Sequence, residues 1–397
     1  MLEQVLIWIF WTSVALGFYV YFIYPAILAI LAVLFGRRIR ARVLETDEDW
    51  PEVALMIPCF DEEKEIARKL ENVARLDYPR GKLRTVVMSD GSRDATARLA
   101  REFATAHPEA DITVLDFPEN RGKSASLFRG ISWLKENRPG VEILAFTDAN
   151  AVWARDALKQ IVAPFSDPTV GSASGLLRYV NPEGAAAGDM EELYWKYEVL
   201  LKRLSSRLGS LPGAIGSIFA LRLEAYRPLS EARGDDFELP VQAVIDGYRS
   251  ILVEDADSRE SPSTDFMTEY RRKLRITGQM IPSAVMLFWR ALTRGRGMIA
   301  FQLLSHKLLR YLVPLYLLLV LLSSILLWNA SVIYQAALLV QAVFYLLAAL
   351  GFAVERAGTS PPKLLQIPLY FTMVNIASLV SMIRGIAGRP VRWERNR

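Results

Sequence analysis

The sequence predicts an α/β domain with a mostly parallel sheet, joined to transmembrane and interfacial α-helices. Between Val53 and Gly175, short apolar runs alternate with stretches whose apolar residues recur at helical spacing. Strict alternation of strand and helix gives right-handed crossovers and a sheet covered on both faces. Apolar residues form 52% of the 397-residue chain, and they are concentrated at its two ends. These ends therefore predict membrane helices.

The first apolar run predicts a retained membrane anchor over residues 1–36. Residues 5–35 carry no charged side chain, which exceeds the roughly 20 residues that a span needs, and Pro25 is expected to kink the helix. A cleaved signal peptide is the alternative, but the run is too long and lacks a basic start and a small-residue cleavage site. Arginines in "GRRIRAR" (36–42) follow it directly. The positive-inside rule then places residues 37–282 in the cytoplasm, as the main domain of a multi-pass plasma (inner) membrane protein.

The C-terminal third predicts further membrane helices. Residues 283–310 are apolar but interrupted by basic residues, which is typical of helices that lie at the interface. Residues 311–385 are expected to cross the membrane, with clear spans at about 311–328 and 332–353. A third crossing would leave the basic tail, 386–397, outside, against the positive-inside rule. We therefore expect 365–383 to be re-entrant or interfacial, or 297–310 to add a span.

Charge and cysteine content exclude several classes of function. The net charge is only +4, and the basic residues cluster near membrane edges, so nucleic acid is not an expected partner. The single cysteine, Cys59, excludes an internal disulfide framework and fits a reducing compartment. His107 and His306 have no partners at metal-ligand spacing, and no Ser/His/Asp or Cys/His arrangement is recognisable.

Acidic residues follow several of the predicted strands. Asp61, Asp90 and Asp148 come at the ends of strands 53–59, 85–89 and 143–147. The carboxyl ends of parallel strands share one edge, so these acids are expected to converge, with Asp235 and Asp236 of "GDDFELP" added from further along the chain. Converging carboxylates repel one another, so a divalent cation with a bound diphosphate is the expected solution. The alternative is that such acids only cap the following helices, as Asp94 is expected to do.

These residues resemble the membrane-embedded glycosyltransferases of family 2, the group of cellulose, chitin and hyaluronan synthases, over nearly the whole chain. The resemblance implies a GT-A type, Rossmann-like cytoplasmic domain. "IPCFDEE", with Asp61, resembles the opening strand, whose turn lies around the nucleotide. The aspartate that matches Asp90 contacts the base, and a carboxylate can accept a hydrogen bond from an imide such as the uracil N–H. Asp148 matches the start of the DxD motif, which handles the diphosphate and Mg²⁺ or Mn²⁺, although Asn150 replaces its second acid.

Two later segments carry the same resemblance. "GDDFELP" resembles the family's "TED" element, whose final aspartate is the general base, so that role falls on Asp236, with Asp235 beside it. "RRKLRITG" (271–278) resembles a degraded QxxRW motif with Arg275 on its arginine, expected at the diphosphate. Arg272 and Ile276 replace the glutamine and the tryptophan of that motif.

The remaining site candidates have a structural alternative. "YWKYE" followed by "GAIGSIFALR" resembles the acceptor-side segment, so Tyr194, Trp195 and Arg272 are expected to bind the acceptor. Aromatic residues at near-helical spacing are also typical of a core. Lys123 of "NRGKSAS" begins a predicted helix, where it could assist the nucleotide anion or be a solvated lysine.

The residues together predict an inverting transferase that moves a sugar from a nucleotide sugar, expected to be a UDP-sugar, to a growing polysaccharide for export. Such a transfer needs a base on the acceptor hydroxyl and cations for the departing diphosphate. The degraded QxxRW motif favours a second prediction, transfer of one sugar to a lipid or lipid-linked acceptor. A catalytically inactive scaffold or transporter is the third, although the strongest spans carry no charge. Expected partners are the donor, a glycan or lipid-linked acceptor, membrane lipids and export or assembly proteins.

Overall fold

A computed structural model describes residues 1–179, 187–229, 233–260 and 266–387. In these residues one eight-stranded sheet forms the centre of the main domain. Its strands are β1 (Glu52–Cys59), β2 (Leu83–Asp90), β3 (Ile112–Phe117), β4 (Val141–Phe146), β5 (Val152–Trp153), β6 (Val170–Tyr179), β7 (Phe219–Arg222) and β8 (Arg249–Glu260). The helices between them are α3 (Ile66–Ala74), α4 (Thr96–Ala106), α5 (Lys123–Asn137), α6 (Ala157–Val162), α7 (Ala187–Arg207) and α8 (Asp235–Ile245).

The strand order is β3-β2-β1-β4-β7-β6-β8-β5. The first four strands are parallel to one another, as the alternation of strands and helices predicts. β7 is antiparallel to both β4 and β6, while β6 and β8 are parallel. Six of the eight strands therefore run in the same direction, as the mostly parallel prediction expects, and the sheet is mixed because β7, which follows α7 and a glycine-hinged turn, and the short β5 run the opposite way. The α/β class itself is confirmed.

Both faces of the sheet are covered, which explains the near-continuous apolar sequence of β1. Its residues alternate between the two faces: Leu55 and Ile57 belong to a core beneath α3, α4 and α6, and Ala54 and Met56 to a core beneath α5 and α8. Burying a large aliphatic side chain contributes about 1.5–3 kcal/mol, so this double core fixes the strand ends that carry the site.

Apolar helices surround the main domain. They are α1 (Leu2–Phe18), a π-helical segment (Tyr19–Ile23), α2 (Tyr24–Phe35), α9 (Phe266–Thr293), α10 (Gly297–Gln302), a second π-helical segment (Leu303–Leu308), α11 (Leu309–Tyr311), α12 (Val313–Leu326), α13 (Val332–Arg356) and α14 (Lys363–Ile386). In the described residues, three stretches are long and apolar enough to cross a membrane: Leu2–Phe35, Val332–Arg356 and Lys363–Gly385. A fourth exists if Gly297–Tyr311 and Val313–Leu326, bent by 50°, form one broken span. The protein is therefore membrane-associated.

The domain limits drawn from the sequence stay predictions. α9 continues across the expected limit between residues 282 and 283. The segment 365–383, expected to be re-entrant or interfacial, is long enough to cross, yet it also packs against α9, where Ser381 Oγ donates to Leu274 O at 2.9 Å. Most of the basic tail, from residue 388 onward, lies outside the described residues.

The connection between the anchor and the main domain is held by hydrogen bonds. Arg37 N donates to Arg207 O at 2.9 Å. The Arg249 guanidinium donates to Arg37 O at 2.6 Å and to Arg38 O at 3.1 Å. Since α7 and β8 supply these partners, the sheet is fixed relative to the N-terminal helix.

Candidate active site

Lys123 joins acids from two distant parts of the chain. Its Nζ atom lies 2.9 Å from Asp148 Oδ1, beyond β4, and 3.2 Å from Asp235 Oδ1, in the first turn of α8. Ser124 Oγ donates to Arg233 O at 2.6 Å and holds the start of α5 against the chain that enters α8. Burial alone would lower the pKa of Lys123, but the neighbouring carboxylates raise it above its ordinary value. The ammonium therefore stays charged among these acids.

The two acids of α8 differ in exposure. Asp235 is buried, and burial raises its pKa to about 6 although Lys123 opposes the change. Asp236 is half-buried; burial raises its pKa too, with Lys123 again opposing. A Cβ added to Gly216 or to Gly234 would stand 3.1 Å from an Asp236 carboxylate oxygen. Glycine at both positions therefore keeps side-chain atoms clear of the Asp236 carboxylate.

Asp90 holds the loop that precedes Lys123. Its Oδ2 atom accepts from Gly122 N at 2.7 Å, and both carboxylate oxygens accept from Arg121 N at 3.2–3.3 Å. Burial raises the pKa of Asp90, and these amides oppose the change. Gly122 has φ +91°, a left-handed conformation that favours glycine. The Asp90 carboxylate thus fixes the backbone just before α5. Contact with the nucleotide base, which the sequence predicts, would be a second role.

Asp61 lies with the turn after β2 and has no described contact with Lys123. Its backbone has φ +53°, uncommon for a non-glycine residue. Its Oδ1 atom accepts from Arg93 N at 2.8 Å, and its own N–H donates to Ser92 Oγ at 3.2 Å. The ends of β1 and β2 are therefore tied together by a strained residue next to Asp90, and strained residues cluster at binding sites.

Sequence reasoning missed Lys69, which is 1% exposed beneath the loop that carries Asp148. Its Nζ atom donates to Thr147 Oγ1 at 2.7 Å and to Ala151 O at 2.8 Å, and so joins both ends of that loop. Burial lowers the pKa of this amine to about 7. The available sign was its position in α3, three residues after Ile66 and four before Val73, on the apolar face of the helix.

Two arginines of α9 differ in their surroundings. The Nε atom of Arg275 is buried and has no hydrogen-bond partner among the residues that the structure describes. Burial lowers the pKa of Arg275, and Asp148 and Asp236 oppose the change, so the guanidinium lies within electrostatic reach of the acids. Arg272 forms an ion pair with Glu269, with Nε to Oε2 at 2.7 Å and Nη2 to Oε1 at 3.0 Å. Arg275 is therefore placed to meet an anion, whereas Arg272 already has an acidic partner.

The aromatic candidates for the acceptor side are described only in part. Trp195 packs against the core cluster on the α3 face of the sheet, which fits the structural alternative. Tyr194 belongs to α7, but its side chain lies outside the described part of the chain. Their assignment to the acceptor stays a prediction.

The metal candidates share one loop. Asp148 and Asn150 follow β4, and Asn150 offers an amide oxygen where a second carboxylate was expected. Within the described ranges, no three histidine, cysteine, aspartate or glutamate side chains are grouped to hold a metal ion. The donor set still fits a hard cation that takes its remaining ligands from a diphosphate, because carboxylate and amide oxygens are its usual protein ligands.

A sequence profile described as "Glycosyltransferase like family 2" matches residues 51–278, more than half of the chain. The chain belongs to glycosyltransferase family 2. The matched region begins just before β1 and ends inside α9, so it contains every strand of the sheet and the sites described above. The narrower likeness to cellulose, chitin and hyaluronan synthases stays a prediction.

Named relatives of this family-2 chain differ in what they make. It is 31% identical over 139 residues to glycosyltransferase AglE of Haloferax volcanii, covering 35% of this chain and 43% of the relative. An N-acetylglucosaminyltransferase of Rhizobium sp. is 27% identical over 225 residues, with 52% and 48% covered. Poly-beta-1,6-N-acetyl-D-glucosamine synthase of Staphylococcus epidermidis is 26% identical over 171 residues, with 43% and 39% covered. The chain thus spans about half the length of these relatives or less.

A solved structure shares the whole architecture. The mannosyltransferase PcManGT from Pyrobaculum calidifontis, solved in complex with GDP-Man and Mn²⁺, superposes with a TM-score of 0.71 at 23% identity. The match covers 97% of this chain and 99% of that one. At this identity the likeness shows the fold, which confirms a GT-A-like domain with attached apolar helices.

Proposed function

We propose that this protein is an inverting glycosyltransferase that uses a nucleotide sugar on the cytoplasmic side of a membrane. One observation carries the proposal. The Lys123 ammonium contacts both Asp148 and Asp235, next to the more accessible Asp236. The Lys123 ammonium, between the acids that follow β4 and begin α8, would attract an anionic donor. The Asp236 carboxylate beside it would be available as a general base.

The donor would lie along the ends of β1, β2 and β4. Asp61 and Asp90 would border the nucleoside, Lys123 and Arg275 would face the diphosphate, and Asp148 with Asn150 would hold Mg²⁺ or Mn²⁺. A bound divalent cation would neutralise charge on the diphosphate. The structural neighbour was solved with a nucleotide sugar and Mn²⁺, which supports this class of donor and metal.

Asp236 would act as the general base. Its carboxylate would take the proton of the acceptor hydroxyl while that oxygen forms a bond to the anomeric carbon of the sugar. The bond from this carbon to the diphosphate breaks on the opposite face, and the nucleoside diphosphate leaves with the electron pair. Its raised pKa makes Asp236 a stronger base than an exposed aspartate, and the glycines beside it leave room for the acceptor.

The acceptor is either a growing polysaccharide or a single lipid or lipid-linked molecule. Relatives named as a polymer synthase and as N-acetylglucosaminyltransferases support the first. The α9 region supports the second, because Arg272 is held by Glu269 and Ile276 stands where polymerising members have a tryptophan. The length of the radiolabelled product would distinguish the two.

A donor screen tests the function. Purified full-length protein would be given common UDP- and GDP-sugars with Mg²⁺ or Mn²⁺, scored by nucleoside diphosphate release, with the anomeric configuration of the product read by NMR. Asp236→Asn should lower turnover by about 10²–10⁴-fold, the usual contribution of a general base, while nucleotide affinity changes by less than about threefold.

The matched control is Asp156→Asn, which removes an exposed carboxylate at the start of α6 and should leave turnover unchanged. Normal turnover by Asp236→Asn would remove the base assignment. A wild-type protein that releases no nucleoside diphosphate from any donor would contradict the proposed function as a whole.

A further inference from the structure

A second charged cluster lies beside Asp236. We call it the basic cluster: Lys202 of α7, Lys307 of the second π-helical segment and Arg310 of α11. The Lys307 ammonium lies 5.4 Å from the ring of Phe237, the residue after Asp236. Lys202 Nζ donates to Gly213 O at 2.7 Å, and the next residue, Ala214, donates its N–H to Asp236 O at 2.7 Å. The cluster therefore adjoins the candidate base.

Positive charge exceeds negative charge in this cluster. Glu198 is its acidic partner; it forms an ion pair with Arg310 and lies 3.5 Å from His306 Nε2. Three cations thus face two carboxylates, those of Glu198 and Asp236, and among the described residues the Lys307 ammonium forms no ion pair or hydrogen bond. Burial lowers the pKa of Lys202 to about 8. Charges removed from water are costly unless they are paired, so the surplus favours an anionic ligand.

Both π-helical segments meet at this cluster. Tyr19 OH and Ser305 Oγ, one from each segment, are 2.7 Å apart. The ring of Tyr24 stacks on His306 at 5.9 Å, and the Arg310 guanidinium lies 5.8 Å from the ring of Tyr21. π-helical turns are uncommon and are frequent at functional sites. Here they bring the anchor helix, which is exposed to lipid, next to the cations.

Building on the proposed function, we propose that the basic cluster binds the phosphate of a lipid-linked acceptor, a sugar carried on an alkyl phosphate or diphosphate that enters from the membrane beside the anchor helix and presents a sugar hydroxyl to Asp236. Lysine and arginine side chains are the usual phosphate ligands, and basic pockets between membrane helices on the cytoplasmic side hold lipid head groups. The position next to Asp236 separates an acceptor phosphate from the donor diphosphate, which Lys123 and Arg275 face. A neutral glycan chain would leave the surplus charge unpaired.

Lipid binding without turnover tests this assignment. Full-length protein in phosphatidylcholine nanodiscs would be titrated with farnesyl phosphate and, separately, with the uncharged farnesol. We expect farnesyl phosphate to bind at least about tenfold more tightly than farnesol, the difference expected for one hydrogen bond to a charged group. Lys307→Met should remove that preference, and Lys307→Arg should restore it. Lys202→Gln, which keeps a donor for Gly213 O, should weaken farnesyl phosphate binding without unfolding the chain.

The control is Lys64→Met, an exposed lysine just before α3, which should bind farnesyl phosphate like the wild type. Equal binding of farnesyl phosphate and farnesol, or unchanged binding by both Lys307→Met and Lys202→Gln, would overturn the proposal. Loss of farnesyl phosphate binding when phosphatidylglycerol is added in similar amounts would assign the cluster to bulk lipid and also overturn it. Tight, Lys307-dependent binding by a protein that turns over no donor would support this site while the proposed function fails.

Discussion

Replacing Lys123 with methionine should destabilise the protein, and more strongly at high pH. The contact with Asp148, whose side chain is 39% exposed, contributes up to about 1 kcal/mol because water screens it. The contact with Asp235, whose side chain is 4% exposed, is buried, and leaving such a charge unpaired costs about 3 kcal/mol or more. The sum is about 4 kcal/mol, which corresponds to a fall in melting temperature of about 8–16 °C for a domain of this size.

The pH dependence follows from Asp235, whose pKa is already about 6 because it is buried. Without Lys123 its pKa should rise further. An acid with a raised pKa costs stability above that pKa, and the cost disappears as the pH falls through it. The deficit of the variant should therefore be large at pH 8 and small at pH 5, measured by intrinsic fluorescence during heating. Lys123→Arg should recover most of the loss, and Lys64→Met, an exposed lysine, should melt like the wild type. A deficit equal at both pH values, or larger at pH 5, would refute the reasoning.

Three further outcomes are expected. Asn150→Asp should lower the Mn²⁺ concentration for half-maximal turnover by about tenfold, because it adds a second carboxylate beside Asp148. An unchanged Mn²⁺ concentration for half-maximal turnover would contradict this. Burial lowers the pKa of Lys69 to about 7 in the folded state, so the free energy of unfolding of the wild type should rise from pH 7 toward pH 10 as this amine loses its proton. Lys69→Met lacks this gain, so its melting temperature should fall further below that of the wild type across the same pH range. A constant difference in melting temperature would argue against it. Asp90→Ala should weaken nucleotide binding at least tenfold by calorimetry, since Arg121 and Gly122 lose their acceptor, and unchanged affinity would rule that role out.

The strands β1 to β4 were predictable because local sequence patterns mark where each one begins and ends. Strands 53–59, 85–89, 112–117 and 143–147 appear within a few residues of β1 to β4, since each apolar run is closed by polar or glycine residues. β8 (Arg249–Glu260) was not predictable, because after a short apolar run at 251–253 its residues are mostly charged or polar, like those of a surface segment. Its place in the sheet depends on pairing with β6, which no local pattern records.

The candidate site shows the same limit. That Asp148 and Asp236 would share a region with Lys123 followed from strand ends and motif positions. The difference in burial between Asp235 and Asp236 did not, because it depends on how α8 turns one carboxylate into the core and the other toward Gly216. Lys69 was missed although it lies on the apolar face of α3, because a lysine side chain at such a position can also extend to solvent, and its two oxygen partners come from a distant loop.

Because Asn150 replaces the second acid of the metal motif, Lys123 should contribute more to binding the diphosphate. Three carboxylates, those of Asp148, Asp235 and Asp236, act on Lys123, and Arg275 is a second cation within electrostatic reach of two of them. A second carboxylate in place of Asn150 would bind a metal more tightly but would also repel the donor diphosphate whenever no metal is bound. With a neutral amide there, the protein's own cations carry more of the stabilisation of the leaving group. Loss of Lys123 should therefore reduce turnover at every metal concentration, and full recovery of the Lys123→Met rate by excess Mn²⁺ would show that the metal, rather than the lysine, dominates.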